Sequence, residues 1–272
     1  MGWRDPLSTP NLTRFLPRAL CAAVLLAIAA LAWGLLWASA ERMLAMGQPA
    51  TGTGLLPPAL DALLRDAAWL MMKPAAVASY LALSAVMWVL MMLAMMIPAV
   101  LPVVLLFGQR AGGGAGQMLA FVSGYLGVWS LYGIGLALLQ WGLHQALLLH
   151  TMALRTDRTL AAGLLLVAGA YQFTPFKQAC LRHCQSPLAF LLNHWRDGRY
   201  GALQMGAAHG RYCLGCCWLV MLLMFAGGVM SVGAMVVLAV FILLERLLPA
   251  GPLATAVPGA LMLATGLGLA LG

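Results

Sequence analysis

Residues 75–107 read AAVASYLALSAVMWVLMMLAMMIPAVLPVVLLF, from Ala75 to Phe107 without one Asp, Glu, Lys or Arg. A helix needs about 20 apolar residues to cross the hydrocarbon core of a bilayer. Inside lipid a helix satisfies its own backbone polar groups, so a run of this length and composition reads as a membrane span. Pro98 and Pro102 should kink or break it near its end.

Working outward, further apolar runs cover Ala19 to Ala40, Gln117 to Leu143, Thr159 to Phe173, Tyr212 to Met230, Ala234 to Leu244 and Ala254 to Leu271. The chain thus reads as an all-α, polytopic transmembrane helix bundle of about seven spans. Composition agrees: 63% of the 272 residues are hydrophobic, 8% are charged, and mean hydropathy is +0.94. Soluble domains carry roughly 25% charged residues. The organisation is a basic N-terminus (1–18), a signal-anchor span (19–40), an outer segment (41–74) and a membrane domain (75–272). Ala38-Ser39-Ala40 resembles a signal cleavage site, but the preceding run is too long for a signal core, so the span is read as uncleaved. In the outer segment, Gln48 to Pro58 is a Gly/Thr/Pro-rich loop, and Leu60 to Met72 has the pattern of an interfacial amphipathic helix.

The net charge of +8 fits cytoplasmic loops rather than a nucleic-acid partner, since no basic cluster has interleaved aromatics. With seven spans and a cytoplasmic N-terminus, ten Lys/Arg fall inside: Arg4, Arg14, Arg18, Arg110, Lys177, Arg182, Arg196, Arg199, Arg211 and Arg246. Five fall outside: Arg42, Arg65, Lys73, Arg155 and Arg158. This bias places the 177–211 loop in the cytoplasm.

That loop and the span after it hold five of the six cysteines: Cys180, Cys184, Cys213, Cys216 and Cys217. Cys180/Cys184 and Cys213/Cys217 are four apart, so each pair shares a helix face. The two groups emerge on one side of the membrane and can meet if the loop folds back, with His183 and His209 nearby. Soft thiolates select Cu(I), and zinc also accepts such a set. Reducing conditions in the cytoplasm argue against structural disulfides. With the fifth span starting at Tyr212, the helix N-terminus and Arg211 would favour the thiolate form. The competing reading is small-residue packing, which is assigned to Cys21 in the first span.

Met87, Met91 and Met95 recur at i, i+4 and i+8, flanked by Met92 and Met96. Thioethers bind Cu(I) without deprotonation, which suits a path through lipid, although methionines at this spacing also serve packing alone. Pro175 should stop the fourth span, with Gln172 and Thr174 as interfacial caps. Lys177 should snorkel to the head groups, and Glu245 should pair with Arg246 at the interface. Gly206 and Gly210 allow close helix approach. His144 and His150 are possible outer ligands. No nucleophile–base–oxyanion set or phosphate loop is present, so the reading is of a non-enzyme.

Three segments together, Met91-Met92-Leu93-Ala94-Met95-Met96-Ile97-Pro98, Tyr171 to Pro187 (YQFTPFKQACLRHCQSP) and Cys213-Leu214-Gly215-Cys216-Cys217-Trp218, resemble the DUF2182 family. These are bacterial, predicted metal-binding integral membrane proteins often named copper chaperones. The resemblance covers about residues 80–248. It implies a multi-pass protein of the bacterial inner membrane that delivers copper to a cuproenzyme, such as a polyphenol oxidase, or to a periplasmic copper protein. The expected metal ligands are Cys180, Cys184, Cys213, Cys216, Cys217, His183, Met91, Met95 and Met96, with Cu(I) as the ion and zinc as an alternative. The rival functions are a thiol–disulfide oxidoreductase using Cys213 and Cys216, a transporter of zinc or another transition metal, and a structural membrane subunit.

Overall fold

A computed structural model describes residues 12–44, 77–111, 114–150, 154–248 and 252–272, with the isolated positions Ala59, Ala62 and Asp66. The expected interfacial helix at Leu60 to Met72 lies outside the described residues apart from Ala62 and Asp66. The described residues form nine helices: α1 (Leu12–Leu44), α2 (Val77–Arg110), α3 (Ala115–Gln145), α4 (Arg158–Gln172), α5 (Pro175–Gln185), α6 (Pro187–Asn193), α7 (Gly198–Gly227), α8 (Val232–Leu247) and α9 (Pro252–Leu271). The strands β1 (Leu149–His150) and β2 (Arg155–Thr156) pair in a small antiparallel ladder between α3 and α4. The fold is an all-α, membrane-type bundle.

Four described helices are long and apolar enough to cross a bilayer, within α1, α2, α3 and α7, and a fifth crossing results if α4 and α5 count as one bent span. The seven apolar runs of the sequence correspond to these four helices, the bent α4–α5 pair and the remaining helices α8 and α9. At 1.5 Å per residue, α4 (15 residues) and α8 (16 residues) reach only about 22–24 Å, short of a roughly 30 Å core. The element order still alternates between two ends. At one end Arg18 lies beside Gly108 and Arg199 beside Gly116. At the other, Thr156 Oγ1 donates to Phe225 O (3.2 Å) and Arg158 Nε donates to Leu269 O (2.8 Å).

α3 and α7 form the most extensive helix pair. Glycine makes it possible: a Cβ on Gly206 would stand 1.8 Å from Phe121 O, and one on Gly124 would stand 2.1 Å from Leu203 O. These are backbone atoms that cannot yield, so the small residues set the distance between the helix axes. Pro98 and Pro102 do not end α2, which continues to Arg110.

The 177–211 segment, expected as a loop, is largely helical, and α7 starts at Gly198, fourteen residues before the expected Tyr212. Four glycines and two arginines in this stretch lower its hydropathy below that of a span, yet the helix propagates through packing against α3. At 30 residues α7 is about 45 Å long, so it overruns a bilayer core by roughly 15 Å.

A buried thiol cluster as the candidate metal site

The site begins with a break in the chain. α4 ends at Gln172, and Thr174 takes extended backbone angles (φ −73°, ψ 141°), as a residue before proline prefers. Pro175 opens α5, where its missing N–H costs nothing, and Thr174 Oγ1 accepts from Lys177 N at 3.3 Å. Thr174 is thus the cap the sequence suggested. α5 leaves at 68° to α4 and folds back onto α7.

This fold-back brings the two cysteine groups together. All five thiols are buried and none is disulfide-bonded. Cys180 packs on the backbone of α7 at Gly215, where a Cβ would come within 2.7 Å of its Sγ. Tyr171 Oη donates to Gly215 O (2.5 Å) and pins the same point. Cys184 is within side-chain hydrogen-bonding reach of Cys213 and Cys216. Cys216 Sγ and Cys217 Sγ each donate to Cys213 O at 3.0 Å, the usual back-bond of a small polar side chain in a helix. As the side chains stand, no three His, Cys, Asp or Glu among the described residues are arranged to hold a metal ion together. Two of the five sulfurs are turned to a carbonyl.

Cys213 is the hub. Its Sγ lies 3.0 Å from Tyr125 Oη on α3, and Arg246 Nη2 on α8 donates to it. Arg246 is buried and forms no carboxylate pair among the described residues, and its guanidinium donates to this sulfur instead. The expected Glu245–Arg246 pair does not form, because successive residues on a helix point about 100° apart. Glu245 instead accepts from Lys177 Nζ at 2.8 and 2.9 Å. Lys177 does not snorkel: it is fully buried in that ion pair, which ties α5 to α8 beside the thiols. Cys213 also lies mid-helix rather than near a helix N-terminus. The end-of-helix field expected to act on it fades within a turn, so the cation near this sulfur is a side chain from another helix.

His183 is only partly drawn in. Its Nδ1 meets Ala179 O (2.9 Å), and its ring stacks on Tyr212 at 4.2 Å, with interplanar angle 7°. Met91, Met95 and Met96 are buried in the core cluster that contains the thiols, on α2, which packs on α6 and α8. Cys21 is partly buried against this core, as a packing residue would be. His144 meets Tyr80 Oη at 3.3 Å at the far end of α3.

Three residues of the site were not among the expected ligands. Arg246 and Tyr125 come from distant helices and carry no local signal. His209 stands one helical turn before Cys213, fully buried among Phe121, Tyr125 and Phe190, with neither ring nitrogen hydrogen-bonded. Such burial is costly for a polar group and calls for a partner. Its spacing from Cys213 was the available clue.

A family model described as PpoB2, copper chaperone, matches residues 85–269. The chain belongs to this copper-chaperone family. The matched stretch runs from within α2 to near the end of α9 and takes in the methionines, the thiol cluster and Arg246. No curated protein and no solved structure matches the chain. Family membership assigns a copper-related chaperone role at the level of the family.

Proposed function

We propose that this protein is a membrane Cu(I) chaperone of the bacterial inner membrane, with its N-terminus cytoplasmic. It holds Cu(I) on Cys180, Cys184, Cys213, Cys216 and Cys217 and passes it to a cuproenzyme or a periplasmic copper protein. The observation that carries this reading is the fold-back of α5, which packs Cys180 and Cys184 against the cysteine face of α7. Soft sulfur donors in a buried, reduced pocket favour Cu(I) over hard cations, with zinc as the competitor. Loading requires Cys216 and Cys217 to leave the Cys213 carbonyl, at about 1 kcal/mol per hydrogen bond. Metal–thiolate binding supplies on the order of 10 kcal/mol, so that cost does not decide the outcome. His183 borders the site, and Met91, Met95 and Met96 serve as onward thioether ligands through the apolar core. The test is a competition for Cu(I) against a chromogenic chelator. The wild-type chain takes up about one Cu(I), and a Cys213/Cys216/Cys217→Ser triple variant takes up none. Wild-type protein that leaves all copper on the chelator overturns the proposal.

The contact of Arg246 with Cys213 also supports a second reading, a thiol–disulfide oxidoreductase, because a guanidinium activates a nucleophilic sulfur. Mass mapping after isolation separates the two: a stoichiometric Cys213–Cys216 disulfide that cycles with a thiol partner favours the enzyme.

A further inference from the structure

Along the N-terminal half of α7, before its cysteines, lies a cavity of about 700 Å³, lined by residues that include His194, Arg196, Gln204, Met205, Arg211 and Tyr212. Arg196 and Arg211 are exposed at it, and neither forms a salt bridge with a carboxylate among the described residues. Arg196 Nη1 donates to the neutral Gln204 Oε1 (2.5 Å). Two uncompensated guanidiniums at one cavity recognise a ligand carrying oxyanions.

The cavity also reaches a row of soft donors. Met205 lines it and is buried, and its Sδ accepts from Arg196 N at 3.2 Å. From Met205, His209, Cys213 and Cys217 follow at four-residue intervals on α7, and all four are buried. Each step advances about 6 Å along the axis and stays near one face. His209, with both ring nitrogens unpartnered, fills the step between the cavity and the first thiol.

We infer that this cavity is the loading port of the chaperone: it binds Cu(I) as a complex with a small thiol that carries carboxylates. Arg196 and Arg211 take the carboxylates, and Met205 and His209 pass the ion to Cys213. The inference rests on the copper reading of the thiol cluster. The transfer is a ligand exchange without redox change. The bond from copper to the carrier sulfur breaks as bonds to Met205, His209 and then Cys213 form. The proton that leaves the cysteine thiol goes to the departing carrier thiolate.

The test follows uptake by the full chain in lipid nanodiscs from two donors. One is the Cu(I) complex of glutathione, a thiol with two carboxylates, and the other is the cationic Cu(I)–acetonitrile complex. An R196Q/R211Q variant should take copper from the glutathione complex about tenfold more slowly, and from acetonitrile at the wild-type rate and to the wild-type endpoint. Met205→Leu should slow uptake from both donors and keep the endpoint. Equal wild-type and R196Q/R211Q rates from the glutathione complex overturn the port while leaving the copper site standing. Absence of copper uptake from either donor sinks the copper site and the port with it. Lipid phosphate offers the same oxyanion chemistry, so nanodiscs of phosphatidylcholine alone are compared with nanodiscs containing phosphatidylglycerol. The donor dependence should be the same in both. A dependence on Arg196 and Arg211 confined to phosphatidylglycerol assigns the cavity to a lipid head group and overturns the proposal.

Discussion

Gly215→Ala isolates the contact that joins the two cysteine groups. The added Cβ would sit 2.7 Å from Cys180 Sγ, whereas ordinary contact begins near 3.4 Å, so the sulfur or its helix must retreat by at least 0.7 Å. Metal–sulfur distances tolerate about 0.2 Å, so that retreat removes Cys180 from a shared coordination sphere. Stability should change little. Overpacking costs roughly 1–3 kcal/mol, while replacing a mid-helix glycine by alanine returns about 0.8–1 kcal/mol. The expected result is a fall in Cu(I) affinity of about tenfold, equivalent to about 1.4 kcal/mol, with unfolding shifted by at most about 2 kcal/mol. Chelator competition reads the first quantity, and thermal unfolding in detergent, followed with a thiol-reactive dye, reads the second. Unchanged affinity in a folded Gly215→Ala chain would refute the claim that Cys180 belongs to the site.

Removing one partner of the buried Lys177–Glu245 pair, as in Lys177→Ala, should cost about 3–5 kcal/mol, and a K177M/E245L double variant should recover most of it in the same unfolding assay. Gly206→Val should prevent α3 and α7 from packing, because its Cβ stands 1.8 Å from Phe121 O; size-exclusion chromatography should show loss of the folded species. The M91L/M95L/M96L triple variant conserves volume, so it should stay within about 1.5 kcal/mol per site of wild type and keep its copper endpoint, yet release copper to an acceptor more slowly in stopped-flow measurements. Because thiols give up protons on binding metal, Cu(I) titration in weak buffer should release protons, and the apparent affinity should rise with pH; proton-neutral binding would remove the thiols from the site.

Much of the helix inventory was legible in the sequence, because uninterrupted apolar length is the main signal for a membrane span. The limits of α3, α4 and α9 fall within two residues of the expected ones, since charged or loop-forming residues flank each run. The start of α7 was not legible. Gly198, Gly201 and Gly206 with Arg199 look like loop, and only the close approach to Phe121 shows why Gly206 stands in a helix. The meeting of the cysteine groups could be anticipated from i,i+4 spacing and shared topology. Its cause, the Thr174–Pro175 break, was read only as a helix stop. Charge pairing failed most clearly. Glu245 and Arg246 are sequence neighbours, yet the helix sends one to Lys177 on α5 and the other to Cys213 on α7, both far away in sequence.

X-ray absorption of the purified, Cu(I)-loaded chain tests the central claim most directly. The account predicts about one copper per chain in a sulfur-dominated shell that draws on both helices, lost in the Cys213/Cys216/Cys217→Ser variant and weakened in Cys180/Cys184→Ser. Copper bound only through nitrogen and oxygen, or bound equally well by both serine variants, would contradict it.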